Sequence, residues 1–92
     1  MEDIDEIAAA FGTIVRLMVD LPTAVSVTVN GTSPMMISIA VAPGDVGKVI
    51  GQGGRTARSM RIMLQAMAMT RKRRISLDIV ELRTETEPEA RV

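Results

Sequence analysis

The chain has 92 residues, a formal net charge of zero, and neither cysteine nor histidine. Its length predicts a single domain. Without cysteine there are no disulfides, which fits a reducing compartment. Without histidine the commonest metal ligand and the commonest general base near neutral pH are missing. We therefore expect a non-enzymatic protein with no metal, no cofactor and no small-molecule substrate.

The sequence carries no pattern for export or for membrane insertion. Its first residues are acidic, whereas a signal peptide begins with basic residues. The longest uncharged runs are either interrupted by proline, glycine and polar residues or far shorter than the roughly 20 residues of a membrane span. These features predict a cytoplasmic protein that does not contact membranes.

The first predicted element is an amphipathic helix over about residues 3–20. Apolar residues recur at helical spacing from Ile4 to Val19. Acidic residues crowd the first turn, where negative charge complements the helix dipole. Leu21-Pro22 is expected to end this helix, because the residue before a proline avoids the helical conformation.

Two strands joined by a hairpin are predicted next. Every second residue from Val25 to Val29 is apolar, and Asn30-Gly31 is a strong hairpin signal. The second strand begins near Met35 and is more continuously apolar, which suits a central strand of a sheet.

A short helix, a longer helix and a third strand complete the predicted domain. Asp45 is interpreted as the N-cap of the short helix, and Gly51 is expected to end it. The longer helix runs from Arg55 to about Thr70, and the last strand covers residues 75–82. The domain is thus expected to span residues 1–82, with a disordered acidic tail over residues 83–92.

This order of helix, strand, strand, helix, helix, strand predicts an α+β domain with a three-stranded mixed sheet. The first two strands are antiparallel neighbours in a hairpin. The second and third are joined by a helical crossover, which makes them parallel. All helices are expected to pack on one face of the sheet and to leave the other face open.

Charge is distributed unevenly along the chain. Residues 1–45 contain six acidic residues and one basic residue, whereas residues 46–74 contain eight basic residues and no acidic one. The basic block begins at a glycine-rich turn, residues 47–56, which Lys48 and Arg55 flank. A flexible turn followed by a helix N-terminus favours an anionic ligand. A plain helix-to-helix turn capped by Gly51 is the simpler alternative for that glycine.

Two other phosphate-binding motifs fit this turn poorly. Gly47 and Gly51 are one residue too close for the nucleotide P-loop, and Gln52 stands where that motif needs lysine. The dinucleotide fingerprint requires a strand that leads directly into the glycines, and here a short helix is predicted before them.

The turn resembles the signature of a KH domain, whose Gly-X-X-Gly loop clamps four nucleotides of a nucleic acid backbone. Gly51 and Gly54 match the two fixed glycines, and Gln52 and Gly53 are the variable pair, which often contains a lysine. The order of elements resembles the bacterial type II KH fold. Residues 3–82 as a whole resemble the small stand-alone bacterial KH proteins of the KhpA (YlqC) family.

The resemblance implies a single type II KH domain that binds single-stranded RNA, as a post-transcriptional regulator or RNA chaperone. The implied groove lies between the two helices that flank the turn and the second strand. Basic and loop residues would hold phosphates, and apolar residues would face the bases. The residues that the resemblance places at the RNA are Lys48, Val49, Ile50, Gly51, Gln52, Gly53, Gly54, Arg55, Arg58, Ile37 and Ile39.

A protein-interaction module is the alternative function, with RNA contact secondary. Ile62, Met63 and Met69 lie off the inward face of the longer helix, and such residues, if exposed, suit a protein partner. The resemblance implies a larger KH-containing partner or a homodimer. The basic run 71–74 lies about 24 Å from the turn, and its simplest interpretation is complementation of the helix dipole.

Overall fold

The computed structural model describes residues 2–31, 34–82 and 90–91. The first half of the domain contains one helix and two strands. Helix α1 spans Glu2–Arg16, strand β1 spans Ser26–Asn30, and strand β2 spans Met35–Val41.

The second half contains two helices and the closing strands. Helix α2 is Val46–Ile50, helix α3 is Arg55–Thr70, and strand β3 is Ile75–Glu81. Short 3-10 turns precede β1, α2 and α3. Ala90–Arg91 form a two-residue strand, β4. Within the described ranges, no helix is long and apolar enough to cross a membrane.

The sheet confirms the predicted α+β architecture. Strands β1 and β2 are antiparallel, with Val29 opposite Ile37, and β2 and β3 are parallel, with Ile37 opposite Leu77. Strand β4 extends this three-stranded sheet by pairing with Val80 and Glu81. Most of the predicted acidic tail, residues 83–89 and 92, lies outside the described residues, so its disorder stays a prediction.

The core lies between the sheet and the three helices. Alternate residues of β2 point toward the helices, and Ile37, Ile39 and Val41 are fully buried there. Phe11 of α1 and Leu64 of α3 belong to the same cluster of buried residues. Since side chains alternate along a strand, one face of β2 is committed to this core. The opposite face is only partly open, because Ala40 and Val80 are buried.

Helix α1 is shorter than its apolar pattern predicts, ending at Arg16 rather than near residue 20. The amides of Leu17 and Met18 donate to the carbonyls of Ile14 and Val15, three residues back, which tightens the last turn. Proline is not the immediate stop. The chain after α1 instead turns toward Asp45, whose carboxylate accepts hydrogen bonds from the amides of Asp20 and Leu21.

The Asp45 carboxylate ties the end of the α1 segment to the start of α2. Its two oxygens accept hydrogen bonds from the amides of Asp20 and Leu21, each at 3.0 Å. It is 2% exposed, and the ammonium of Lys48 lies 3.7 Å away. The predicted N-cap bond to α2 is absent. The prediction that the Asp45 side chain caps α2 is therefore wrong. Its carboxylate instead accepts hydrogen bonds from the segment that follows α1.

These contacts hold the pKa of Asp45 below its ordinary value. The hydrogen bond from the Asp20 amide is the largest cause, burial opposes it, and the Leu21 amide and Lys48 lower the pKa further. A carboxyl group with a depressed pKa in the folded state stabilises the fold above its unfolded pKa of about 3.9. This stability is lost as the pH falls through the folded pKa.

We predict that Asp45→Asn lowers the urea midpoint at pH 6.5, because asparagine cannot accept both amide bonds as a carboxylate does. The difference between parent and variant should shrink as the pH is lowered below about 4. Asp20→Asn is the matched control, since this side chain is 77% exposed. An equal loss for both variants, or a difference that does not change with pH, would contradict this account of Asp45.

Candidate nucleic-acid interface

Three glycines with positive φ form the turn between α2 and α3. Their φ angles are 83° at Gly51, 65° at Gly53 and 76° at Gly54. The Gly51 amide donates to the Gly47 carbonyl at 2.9 Å and ends α2, as predicted for a C-cap. The Gly54 amide donates to the Gly51 carbonyl at 3.0 Å, which folds the turn back toward α3.

Gly51 and Gly53 are glycines for different reasons. A Cβ atom at Gly51 would lie 2.7 Å from the Thr56 Cβ and 2.9 Å from the Thr56 backbone nitrogen. Its ψ of 165° also places it in a backbone region that only glycine readily occupies. At Gly53 and Gly54 a Cβ would meet nothing within 4 Å. Gly51 thus lets the chain pass closely over Thr56, a contact that the motif alone does not reveal.

The tip of the turn is exposed and contains backbone amides without a hydrogen-bond acceptor among the described residues. Gln52 and Gly53 are exposed, and Gly54 is half-buried. Within the described part of the chain, the amides of Gln52 and Gly53 donate no hydrogen bond. Donors of this kind suit anionic oxygens, since charged acceptors form the stronger hydrogen bonds. An extended anion could therefore lie against this tip without meeting a side chain from Gly53 or Gly54.

The three predicted cations differ in what surrounds them. Arg55 and Arg58 are exposed on the first turn of α3, next to the glycine turn. The Lys48 ammonium instead lies 3.3 Å from the Asp20 carboxylate and 3.7 Å from that of Asp45. Lys48 is thus already paired with two carboxylates. The positive charge available at this turn comes mainly from Arg55 and Arg58.

Arg61, the third arginine of α3, points to the sheet rather than to the glycine turn. Its Nε donates to the Leu77 carbonyl of β3 at 3.2 Å, and the residue is half-buried. Strand β4 pairs with β3 at Val80 and Glu81, and no strand of the described residues pairs with this edge of β3 at Leu77. Arg61 therefore satisfies one acceptor of that edge.

The predicted apolar floor for bases is wrong at three positions. Ile37, Ile39 and Val49 have no exposed surface, because they fill the core between the sheet and the helices. A base cannot contact these side chains as they are placed here. Ile50 is half-buried and retains some surface beside the turn. The periodicity located the apolar face correctly, but α1 and α3 cover it.

The comparison with known families identifies this arrangement. A family model described as KhpA/KhpB, KH domain matches residues 10–79, which include both helices of the turn and the turn itself. The chain belongs to the KhpA/KhpB KH-domain family. This confirms the resemblance and the fold that it implied. Proteins of this family are RNA-binding KH proteins, a non-enzymatic kind, which confirms that the chain is not an enzyme.

Curated relatives agree with the family model. The chain is 41% identical over 69 residues to a protein of Caldanaerobacter subterraneus subsp. tengcongensis, 74% of this chain and 92% of the relative. It is 39% identical over 71 residues to one of Chlamydia trachomatis, 76% and 91% of the two chains. A Treponema pallidum protein is 42% identical over 69 residues, 74% and 86%. Each is named RNA-binding protein KhpA. No solved structure matches the chain.

We predict that Gly51→Ala destabilises the fold by about 2–5 kcal/mol, from backbone strain of about 1–2 and overpacking of about 1–3. Gly53→Ala is the matched control, with the same exchange in the same turn and no nearby atoms to displace. It should cost only the strain, about 1 kcal/mol. Urea unfolding of both variants measures this difference, and equal losses would show that the approach to Thr56 does not constrain Gly51.

Proposed function

We propose that the chain binds single-stranded RNA and that the backbone of the glycine turn clamps its phosphates. The observation that carries this proposal is the exposed tip next to Arg55, at Gln52 and Gly53, whose amides donate no hydrogen bond within the described chain. The segment lies within the region that matches a KH family, in which a Gly-X-X-Gly loop clamps four nucleotides. The relatives' name, RNA-binding protein KhpA, supports the same ligand.

The chemistry of the turn favours phosphate contact over base recognition. Backbone amides and the exposed guanidinium groups of Arg55 and Arg58 are donors with little preference for one base. The sole aromatic residue, Phe11, is 1% exposed and cannot stack on a base. We therefore propose weak sequence preference, which fits a post-transcriptional regulator or RNA chaperone that contacts several transcripts. We place this activity in the cytoplasm.

Gln52→Asp together with Gly53→Asp should abolish binding of a short oligouridylate, because two carboxylates would stand where phosphates lie. For the parent, log affinity should fall with log salt at a slope of roughly −2 to −3, from three or four phosphates at about 0.7 each. Fluorescence anisotropy of a labelled oligonucleotide of five nucleotides measures both quantities. Urea unfolding checks that the fold survives.

The matched control is Gln52→Asn with Gly53→Asn, which adds side chains of the same size and no charge. Asparagine tolerates positive φ, so the turn can keep its shape. This variant should keep affinity within about five-fold, a loss of about 1 kcal/mol. Should the Asp variant bind RNA as the parent does, the turn is not the clamp. If the Asn variant also loses all binding, the loss reflects shape and not charge.

Protein pairing is a second candidate function, and exposed apolar residues of α3 favour it. Ile62 is 59% exposed, Met63 is 47% exposed and Met69 is 76% exposed. A cluster of this kind on a small domain suits a protein interface. We propose a second copy of the chain, or a larger KH-containing protein, as the occupant, and the description of the family as KhpA/KhpB is consistent with the latter.

Sedimentation equilibrium tests the homodimer. The parent should show a monomer–dimer equilibrium at micromolar to millimolar concentration, and Ile62→Ser with Met69→Ser should shift it at least ten-fold toward monomer. Leu17→Ser is the control, since this side chain is 82% exposed but lies outside α3. A parent that stays monomeric throughout, or a control that weakens the dimer equally, would remove α3 as a self-association surface.

A further inference from the structure

The end of α3 contains a lysine where glycine would be more stable. The Arg73 amide donates to the Ala68 carbonyl at 2.9 Å and the Lys72 amide to the Met69 carbonyl at 3.1 Å, the two bonds of a Schellman motif. Lys72 takes the left-handed position of this motif, with φ of 55°, and is the only non-glycine residue of the described chain with positive φ. Glycine is the usual residue there, because a Cβ atom is disfavoured.

Helix-dipole complementation does not account for this basic turn, residues 71–74. The dipole effect is confined to the last turn of a helix, and Arg73 and Arg74 lie beyond Thr70 and Arg71, the last residue and the C-cap of α3. No carboxylate of the described residues is paired with Lys72, Arg73 or Arg74. All three are exposed. The Arg73 guanidinium donates to the Met35 sulfur at 3.7 Å, which leaves its charge unneutralised. Concentrated positive charge that no described carboxylate neutralises, on Lys72, Arg73 and Arg74, is available to an anionic ligand.

A groove of about 450 Å³ opens beside the basic turn. Its lining includes Ala68, Met69 and Ile75, of which Met69 is the exposed one, together with Arg73 and Arg74. The Arg74 carbonyl accepts the Met35 amide at 2.9 Å, which anchors this part of the groove to the sheet. An exposed apolar side chain beside cations is complementary to a nucleotide, whose base is flat and apolar on its faces and whose phosphate is anionic.

One face of α3 connects the groove to the glycine turn. Exposed residues recur along it at three- and four-residue spacing, and they are Arg55, Arg58, Ile62, Gln65 and Met69. The helix of 16 residues is about 24 Å long. That length corresponds to about seven nucleotides at the roughly 3.4 Å per nucleotide of a stacked strand. A strand held at the turn can therefore reach the groove only if it extends well beyond four nucleotides.

We propose that the basic turn and its groove form a second RNA-binding site, which takes a nucleotide of the same strand beyond those held at the glycine turn. The base lies on Met69, where the methionine sulfur contacts the ring, and the phosphates lie on Lys72, Arg73 and Arg74. This inference rests on the proposed function. It predicts a binding footprint of about a dozen nucleotides, from the four of the clamp and the seven along α3.

The test compares oligouridylates of five and fifteen nucleotides, by anisotropy, on the parent and on Arg73→Gln with Arg74→Gln. The double variant should lose at least five-fold in affinity for the fifteen-mer and less than two-fold for the five-mer. Its salt slope for the fifteen-mer should become shallower by roughly 0.7 for each phosphate that the variant no longer binds. Equal losses for both lengths, or no loss for either, would overturn the second site.

Lys72→Gly separates RNA binding from folding. It removes one cation and relieves the positive φ, so the urea midpoint should rise while fifteen-mer affinity falls two- to three-fold. Arg16→Gln on α1 is the control for net charge and should leave both affinities unchanged. An equal loss in the control would attribute the effect to net charge and overturn the proposal. A change in the oligomeric state of the variants at the concentrations used would also overturn the proposal.

Failure of the clamp is distinguishable from failure of the second site. The double-Asp variant of Gln52 and Gly53 probes the five-mer, whereas the basic-turn variants change the ratio of fifteen-mer to five-mer affinity. If the Asp variant keeps five-mer affinity but the ratio still falls in the basic-turn variants, the proposed clamp is wrong and the groove is retained. If the Asp variant loses five-mer affinity but the ratio does not fall in the basic-turn variants, the clamp is retained and the second site is wrong.

Discussion

The close passage of Gly51 over Thr56 is the constraint on which the candidate site depends. It allows α2 to end and α3 to begin within one turn, because the backbone adopts a conformation closed to other residues. Gln52 and Gly53 follow Gly51 and are exposed, and their amides donate no hydrogen bond within the described chain. Gly51 therefore shapes the turn, while Gly53 and Gly54 keep its surface clear. The shape of the turn and its open surface thus depend on different glycines of the motif.

A buried carboxylate decides which cations remain available to RNA. Asp45 fastens the segment after α1 to the start of α2, and with Asp20 it pairs the ammonium of Lys48. The basic residues of positions 46–74 therefore lie in different surroundings in the folded chain. Arg55 and Arg58 stay exposed beside the turn, Arg61 is bound to the sheet edge, and the basic turn stands at the far end of α3. The charge of a residue does not by itself predict whether its side chain is paired or exposed.

Much of the fold could be predicted because its determinants are local. Alternating apolar residues indicate the strands, Asn30-Gly31 indicates the reversal between β1 and β2, and the glycine turn indicates the connection between α2 and α3. What was missed depends on distant contacts. The bond from Asp45 to the amides of Asp20 and Leu21 joins segments far apart in sequence, so neither the early end of α1 nor the true target of that carboxylate was visible. Likewise, periodicity identified the apolar face of Ile37 and Ile39 but not the layers that cover it.

The central claim is that the backbone of the glycine turn contacts the RNA. Amide chemical shifts of the labelled protein, recorded while a five-nucleotide oligouridylate is added, test it most directly. The amides of Gln52, Gly53 and Gly54 should show the largest changes, with smaller changes at Arg55 and Arg58. Unchanged shifts at these three amides, while the oligonucleotide binds and perturbs another surface, would contradict a backbone clamp.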